Sequence, residues 1–118
     1  MPGKIVHFEL PAADAGRAKA FWSGLFGWEF GDSAMPGMEY YMVEGGALYP
    51  SEELAGTGPI VYYDTDDIDA SVAAIRRLGG EAADKSPIPG IGWFARCQDT
   101  EGNNFSLFQS DGSVGHPG

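Results

Sequence analysis

One supersecondary pattern is written twice along this chain, and that repetition limits its fold more than any other feature. Ile5-Val6-His7-Phe8-Glu9-Leu10 leads into an acidic turn and an alanine-rich segment that ends at Gly27. Ile60-Val61-Tyr62-Tyr63-Asp64-Thr65 leads into a second acidic turn and a segment that ends at Gly79. Laying Ile5-Val6 over Ile60-Val61 puts His7 on Tyr62 and Glu9 on Asp64. Two copies of one unit bury a shared interface, and a cleft between equivalent strands is where a ligand is to be sought.

Each copy reads as a βαβββ unit. Residues 4 to 10 alternate as a strand, with Val6, Phe8 and Leu10 on one face and Ile5, His7 and Glu9 on the other. Asp14 is placed to cap a helix over residues 15 to 26, carrying Ala18, Phe21, Trp22 and Leu25 on one stripe, and Gly27 supplies a left-handed stop. Short strands are expected at Trp28–Phe30, Glu39–Val43 and Gly46–Tyr49, punctuated by Met35-Pro36-Gly37 and Glu44-Gly45. In the second copy, residues 60 to 64 form a strand. Asp66 or Asp67 caps a helix with Ile68, Val72, Ile75 and Leu78 on one face, and Gly79-Gly80 ends it. Strands follow at Glu81–Ala83, Gly92–Cys97 and Asn104–Phe108, with Ser86 to Gly90 as a loop and Asp99 to Asn103 as a tight hairpin turn. The organisation expected is one domain over 1–118: a first module at 4–50, a linker at 51–59, a second module at 60–109, and a small, polar, disordered tail at 110–118.

Composition narrows the class of function. With 118 residues and 43% hydrophobic content the chain can bury a core of its own. Seven Lys and Arg against seventeen Asp and Glu leave a net charge of -10, which argues against nucleic acid and anionic membranes as partners. No basic stretch precedes an apolar run at the start and no segment is long enough to span a membrane, so a cytoplasmic protein is expected. The one cysteine, Cys97, excludes an internal disulfide and reads as a buried, inert thiol in an apolar strand. The glycine pairs lack the strand-loop-helix spacing of a phosphate cradle, and a serine-hydrolase elbow is absent. His116, beside Pro117 in the tail, reads as a surface histidine.

Val6-His7-Phe8-Glu9, Arg17-Ala18-Lys19-Ala20-Phe21-Trp22, Leu25-Phe26-Gly27-Trp28, Val61-Tyr62-Tyr63 with Asp66-Asp67-Ile68-Asp69, Leu78-Gly79-Gly80, Pro89-Gly90-Ile91-Gly92 and Asp99-Thr100-Glu101-Gly102-Asn103 together resemble the vicinal oxygen chelate superfamily, also called the glyoxalase/bleomycin resistance/dioxygenase superfamily. The match runs over about residues 4 to 109. It implies an α+β fold of two tandem βαβββ modules whose curved sheets enclose a cavity, and a homodimer. Metal-dependent members place four ligands in that cavity, mostly histidines and glutamates. His7 falls on the first of these positions, where an imidazole could bind Zn, Ni, Mn or Fe. The other three fall at Ile60 or Tyr62, at Ser106, and near Ala47 to Tyr49, so the usual ligand set is largely missing. Glu9 and Asp64 share the inward parity of His7 and could rebuild a facial triad.

The residues singled out are therefore His7 and Glu9 for chemistry, with His7 as a polar lining residue or a general base positioned by Glu9 or a neighbouring tyrosine. Tyr49, Tyr62, Asp64, Trp93, Ser106 and Phe108 are singled out as ligand-lining positions, because alternate strand residues must point into or out of the cavity. No cofactor is expected, a divalent metal at His7 being the alternative. The leading reading is a small-molecule-binding protein of the bleomycin-resistance type. The alternatives are a metal-dependent lyase, isomerase or dioxygenase using His7, and a non-catalytic regulatory or accessory domain.

Overall fold

The computed structural model describes residues 3–32 and 39–115, and the expected Met35-Pro36-Gly37 turn and His116 lie outside them. The chain divides into two compact units, His7–Ile60 and Met1–Val6 with Val61–Gly118. Each is a βαβββ-like module with parallel and antiparallel pairing, so the fold is α+β.

In the unit His7–Ile60, β1 (Ile5–Ala12), which enters from the other unit, runs parallel to β3 (Gly46–Pro50), with Glu9 opposite Ala47 and Pro11 opposite Tyr49. β2 (Tyr41–Val43) returns antiparallel on β3 through a turn in which Gly45 has a positive φ of 85°. Gly46 must be glycine, since a Cβ there would lie 2.5 Å from the Phe8 carbonyl oxygen. The helix falls where expected: α1 (Ala15–Phe26) starts at Asp14, whose side chain accepts from the Arg17 N–H, and ends at left-handed Gly27. Its expected buried stripe does not materialise. No α1 residue is buried, and Phe21, Leu25 and Phe26 are 60%, 57% and 59% exposed. The strand expected at Trp28–Phe30 is also missing, reduced to one bridge between Gly31 and Met42. Trp28 is drawn instead into an aromatic cluster, stacking on Trp22 at 5.1 Å and packing edgewise on Phe30 at 6.2 Å.

In the other unit, β4 (Ile60–Asp64) runs parallel to β8 (Asn104–Ser110), and β8 is antiparallel to β7 (Gly92–Gln98). β5 (Glu81–Ala82) and β6 (Ser86–Ile88) both pair with β7. Ser86–Ile88, expected as a loop, is thus a strand. Pro87 is tolerated because β6 has a single neighbour among the described strands and needs fewer donors. α2 (Ile68–Arg77) is capped by Asp67, which accepts from the Ala70 N–H. It seats Ile68 and Val72 on Ala95, Cys97 and Leu107, with Ile75, Ala82, Trp93 and Phe105 around them. Leu78, expected in this stripe, is 72% exposed because the helix ends before it and Gly79 turns the chain with φ 95°. Residues 110–115 depart from expected disorder: Val114 is buried and its carbonyl accepts from the Gly90 N–H at 2.9 Å.

Candidate functional site

Strand alternation places His7 and Glu9 on one face of β1, two residues apart. Glu9 is 3% exposed, a position at which a carboxylate needs hydrogen-bond donors to offset its lost hydration. Tyr40, just before β2, supplies one: its hydroxyl donates to Glu9 Oε2 at 2.8 Å. The Tyr40 hydroxyl oxygen also lies 2.6 Å from His7 Nε2. One hydroxyl carries one proton, so when that proton is given to Glu9 the contact with His7 is made with Nε2 as the donor. The two rings lie nearly parallel, 6.1 Å apart with 23° between planes. Tyr49 on β3 adds a tilted ring 6.2 Å from that of Tyr40. Burial holds the His7 pKa below its ordinary value, and the negative charge of Glu9 pulls the opposite way. At neutral pH His7 is mainly the neutral imidazole, tied through the Tyr40 phenol to the buried Glu9 side chain.

Tyr40 was not among the residues singled out from sequence. It lies 33 residues from His7 and 31 from Glu9, and no local spacing rule reaches that far. The neighbouring tyrosine envisaged as a partner for His7 is this one.

The remaining residues lie in the unit of α2. Tyr62 and Ser106 are both buried and stand opposite each other in the β4/β8 register, with Arg96 opposite Ser106 on β7. Nothing among the described residues hydrogen-bonds the Ser106 hydroxyl. One row further, Asp64 pairs with Phe108, and both line a pocket of ≈ 250 Å³ with Val6, Thr65, Asp66, Gln109 and Ser110. Asp64 also accepts from the Lys4 N–H at 2.8 Å. Trp93 differs from expectation. Register puts Phe94 and Arg96 on the Ser106 face, and Trp93 on the opposite face with Ala95 and Cys97, against the α2 core, where Lys85 Nζ sits 4.3 Å over its ring. A one-residue difference in parity accounts for this.

The donors present do not fit a divalent metal. Among the described residues no three His, Cys, Asp or Glu side chains come together. His7 Nε2 and Glu9 Oε2 are both engaged by Tyr40, Ser106 offers a fully buried hydroxyl, and Ala47 and Leu48 are apolar and fully buried.

Comparison with known proteins follows the same lines. A family model described as bleomycin resistance protein-like N-terminal matches residues 4–46. A glyoxylase-like domain-containing protein of Didymella fabae is 30% identical over 118 residues, covering 89% of this chain and 92% of that protein. Among solved structures, methylmalonyl-CoA epimerase in complex with methylmalonyl-CoA and NH4+ aligns over 99% of this chain and all (100%) of its own, with TM-score 0.62 at 21% identity. The Mycobacterium tuberculosis methylmalonyl-CoA epimerase aligns over 92% of this chain and 88% of its own, with TM-score 0.63 at 14% identity. At those identities the structural likeness speaks for the fold.

Proposed function

Because the chain belongs to the vicinal oxygen chelate (glyoxalase/bleomycin resistance/dioxygenase) superfamily, we propose that it binds a small organic molecule through a site that does not use that superfamily's metal. The observation that carries this reading is the Tyr40 hydroxyl, which engages Nε2 of His7 and Oε2 of Glu9 where no third His, Cys, Asp or Glu joins them among the described residues. A site of this kind offers a polar centre flanked by the rings of Tyr40 and Tyr49, a pattern suited to orienting an organic ligand. The net charge of -10 favours cationic ligands over anionic ones, and the rings of Tyr40 and Tyr49 favour aromatic ones. Small-molecule binding also agrees with the superfamily, one structural neighbour of which holds methylmalonyl-CoA. As elsewhere in the superfamily, the homodimer is part of the proposal.

A ligand panel read by thermal unfolding tests this, run in EDTA with cationic aromatic amines and acyl thioesters as probes. Ligand at 100 times its dissociation constant stabilises by about 2.7 kcal/mol. Binding should therefore raise the midpoint by several degrees, and Tyr49→Ala should reduce the shift. A shift that appears only when EDTA is replaced by a divalent metal would overturn the reading, as would a flat response to the whole panel.

A further inference from the structure

The apolar residues that α1 leaves uncovered lie together. Phe21 and Leu25 stand one turn apart on a single ridge, 60% and 57% exposed. Phe26, 59% exposed, joins them through Trp22, on whose ring it stacks at 5.9 Å. Beside that ridge runs a shallow row of Gly16, Ala20 and Gly24, all exposed. Packing within one chain does not account for Gly24. A Cβ there would meet nothing within 4 Å, its backbone has no positive φ, and glycine inside a helix is destabilising relative to alanine. A surface outside the chain that comes close to the helix does account for it.

Resting on the homodimer proposed above, we infer that the outer face of α1 docks on α1 of a second copy, the two helices running in opposite directions about a twofold axis. A twofold contact demands self-complementarity, since each copy supplies both halves of it. α1 carries both: the ridge of Arg17, Phe21 and Leu25 fits the groove over Gly16, Ala20 and Gly24 of the other copy, and the lack of bulk there lets the axes approach to about 8 Å. Charge fixes the direction. The helix holds Arg17 and Lys19 with no Asp or Glu, and no basic residue lies in its last turn. Lys19 is engaged over the Tyr41 ring at 3.8 Å. Parallel helices would set Arg17 against Arg17. Opposed ones carry each Arg17 to the C-terminal turn of the other helix, where the dipole favours a cation and the Phe26 ring offers a face. An anionic bilayer, the other broad apolar surface, is opposed by the net charge of -10.

Area sets the strength. Phe21, Leu25 and Phe26 together offer roughly 350 Å² of apolar surface, at about 200 Å² for a whole side chain. A stable interface takes about 800 Å² from each partner. The dimer is therefore weak, and dilute protein is monomeric.

Sedimentation of the full chain from about 1 to about 500 μM should show monomer passing into dimer. Phe21→Glu places two like charges in the contact and should weaken association on the order of 10-fold or more, while its exposure keeps the fold intact. Gly24→Ala separates the two roles of the helix by sign. Added to Phe21→Glu, where dimer is lost, it should raise the melting temperature by a few degrees, as alanine replaces helical glycine. Alone, it should weaken the dimer by holding the axes apart. A fall in melting temperature on the monomeric background would assign Gly24 to the chain's own packing, against the inference. Ala20→Cys, near the axis, should cross-link to its own counterpart under mild oxidation with the buried Cys97 left out, and Leu78→Cys, 72% exposed after α2, should not do so at the same rate. A chain that stays monomeric throughout overturns the inference and leaves the face to an unlike partner. A dimer unmoved by Phe21→Glu, or one without the Ala20→Cys cross-link, keeps the homodimer and overturns this surface. The ligand panel in EDTA reads neither, so the small-molecule reading fails separately.

Discussion

Burial pushes the Cys97 thiol up to about 11, with the Arg76 charge pulling weakly the other way, so almost none of it is thiolate at neutral pH. Native protein should accordingly react with a thiol reagent such as DTNB only at the rate of unfolding, and release one equivalent of thiolate in denaturant. Prompt reaction of the folded chain would contradict the packing of β7 against α2. His7 gives a second prediction with a definite sign. Its pKa is lowered in the folded chain, mainly by burial, so as pH falls below about 6.5 the unfolded chain takes up this proton first. Folding stability is therefore lost downward from that pH until the lowered folded pKa is passed, and nothing is lost above it. Comparison with His7→Gln isolates this effect from every other titration: between pH 8 and pH 5 the wild-type melting temperature should fall relative to the variant. A relative gain for the wild type at low pH would mean that the Glu9 charge, not burial, governs the imidazole.

At the scale of elements, the two helices of the repeat are not energetically equivalent. α2 buries Ile68 and Val72 in a packed core, whereas α1 buries no residue and leaves Phe21 and Leu25 in solvent. Ile68→Ala should cost about 2–5 kcal/mol. Phe21→Ala removes an edgewise contact with Trp22 and should cost about 1 kcal/mol or less. Urea denaturation of the two variants measures the contrast, and equal losses would show that α1 has a buried face after all. Strand pairing sets a stricter constraint at Gly92. A Cβ there would lie 2.0 Å from the Gln109 carbonyl oxygen, and β7 cannot retreat without breaking its ladder with β8. Gly92→Ala should destabilise by about 1–3 kcal/mol or more, read by the same denaturation. Both helices and their caps were legible because capping and 3.6-residue periodicity are local rules. β6 was not, since Ser86-Pro87-Ile88 becomes a strand only by pairing with β7. Trp93 was misassigned for a related reason, as alternation along β7 gives two faces but only its neighbours say which one α2 covers.

For the molecule as a whole, the repeat of Ile5 to Leu10 at Ile60 to Thr65 sufficed for the α+β modules and the superfamily, because each copy carries its own caps, turns and strand pattern. The candidate site was only half legible. His7 and Glu9 were visible as one strand face, but the residue that joins them arrives from beyond α1 through tertiary folding. That missing residue changes the chemistry expected of the whole protein. A histidine and a glutamate on one strand face invite a metal; with Tyr40 between them, Nε2 of His7 and Oε2 of Glu9 are already hydrogen-bonded, and no third His, Cys, Asp or Glu joins them among the described residues. A metal site with a dissociation constant near 1 μM would add about 2.7 kcal/mol at a hundredfold excess. For a domain of this size that raises the melting temperature by roughly 10 °C. We expect Zn, Ni, Mn and Fe(II), added singly to chelator-treated protein, to raise it by no more than about 1 °C. Tyr40→Phe sharpens the comparison, because it frees His7 Nε2 and Glu9 Oε2 from the hydroxyl they share. If metals stabilise the variant and not the wild type, the tyrosine is what keeps this site metal-free; a rise of several degrees in the wild type would return the chain to the metal-dependent members of its superfamily.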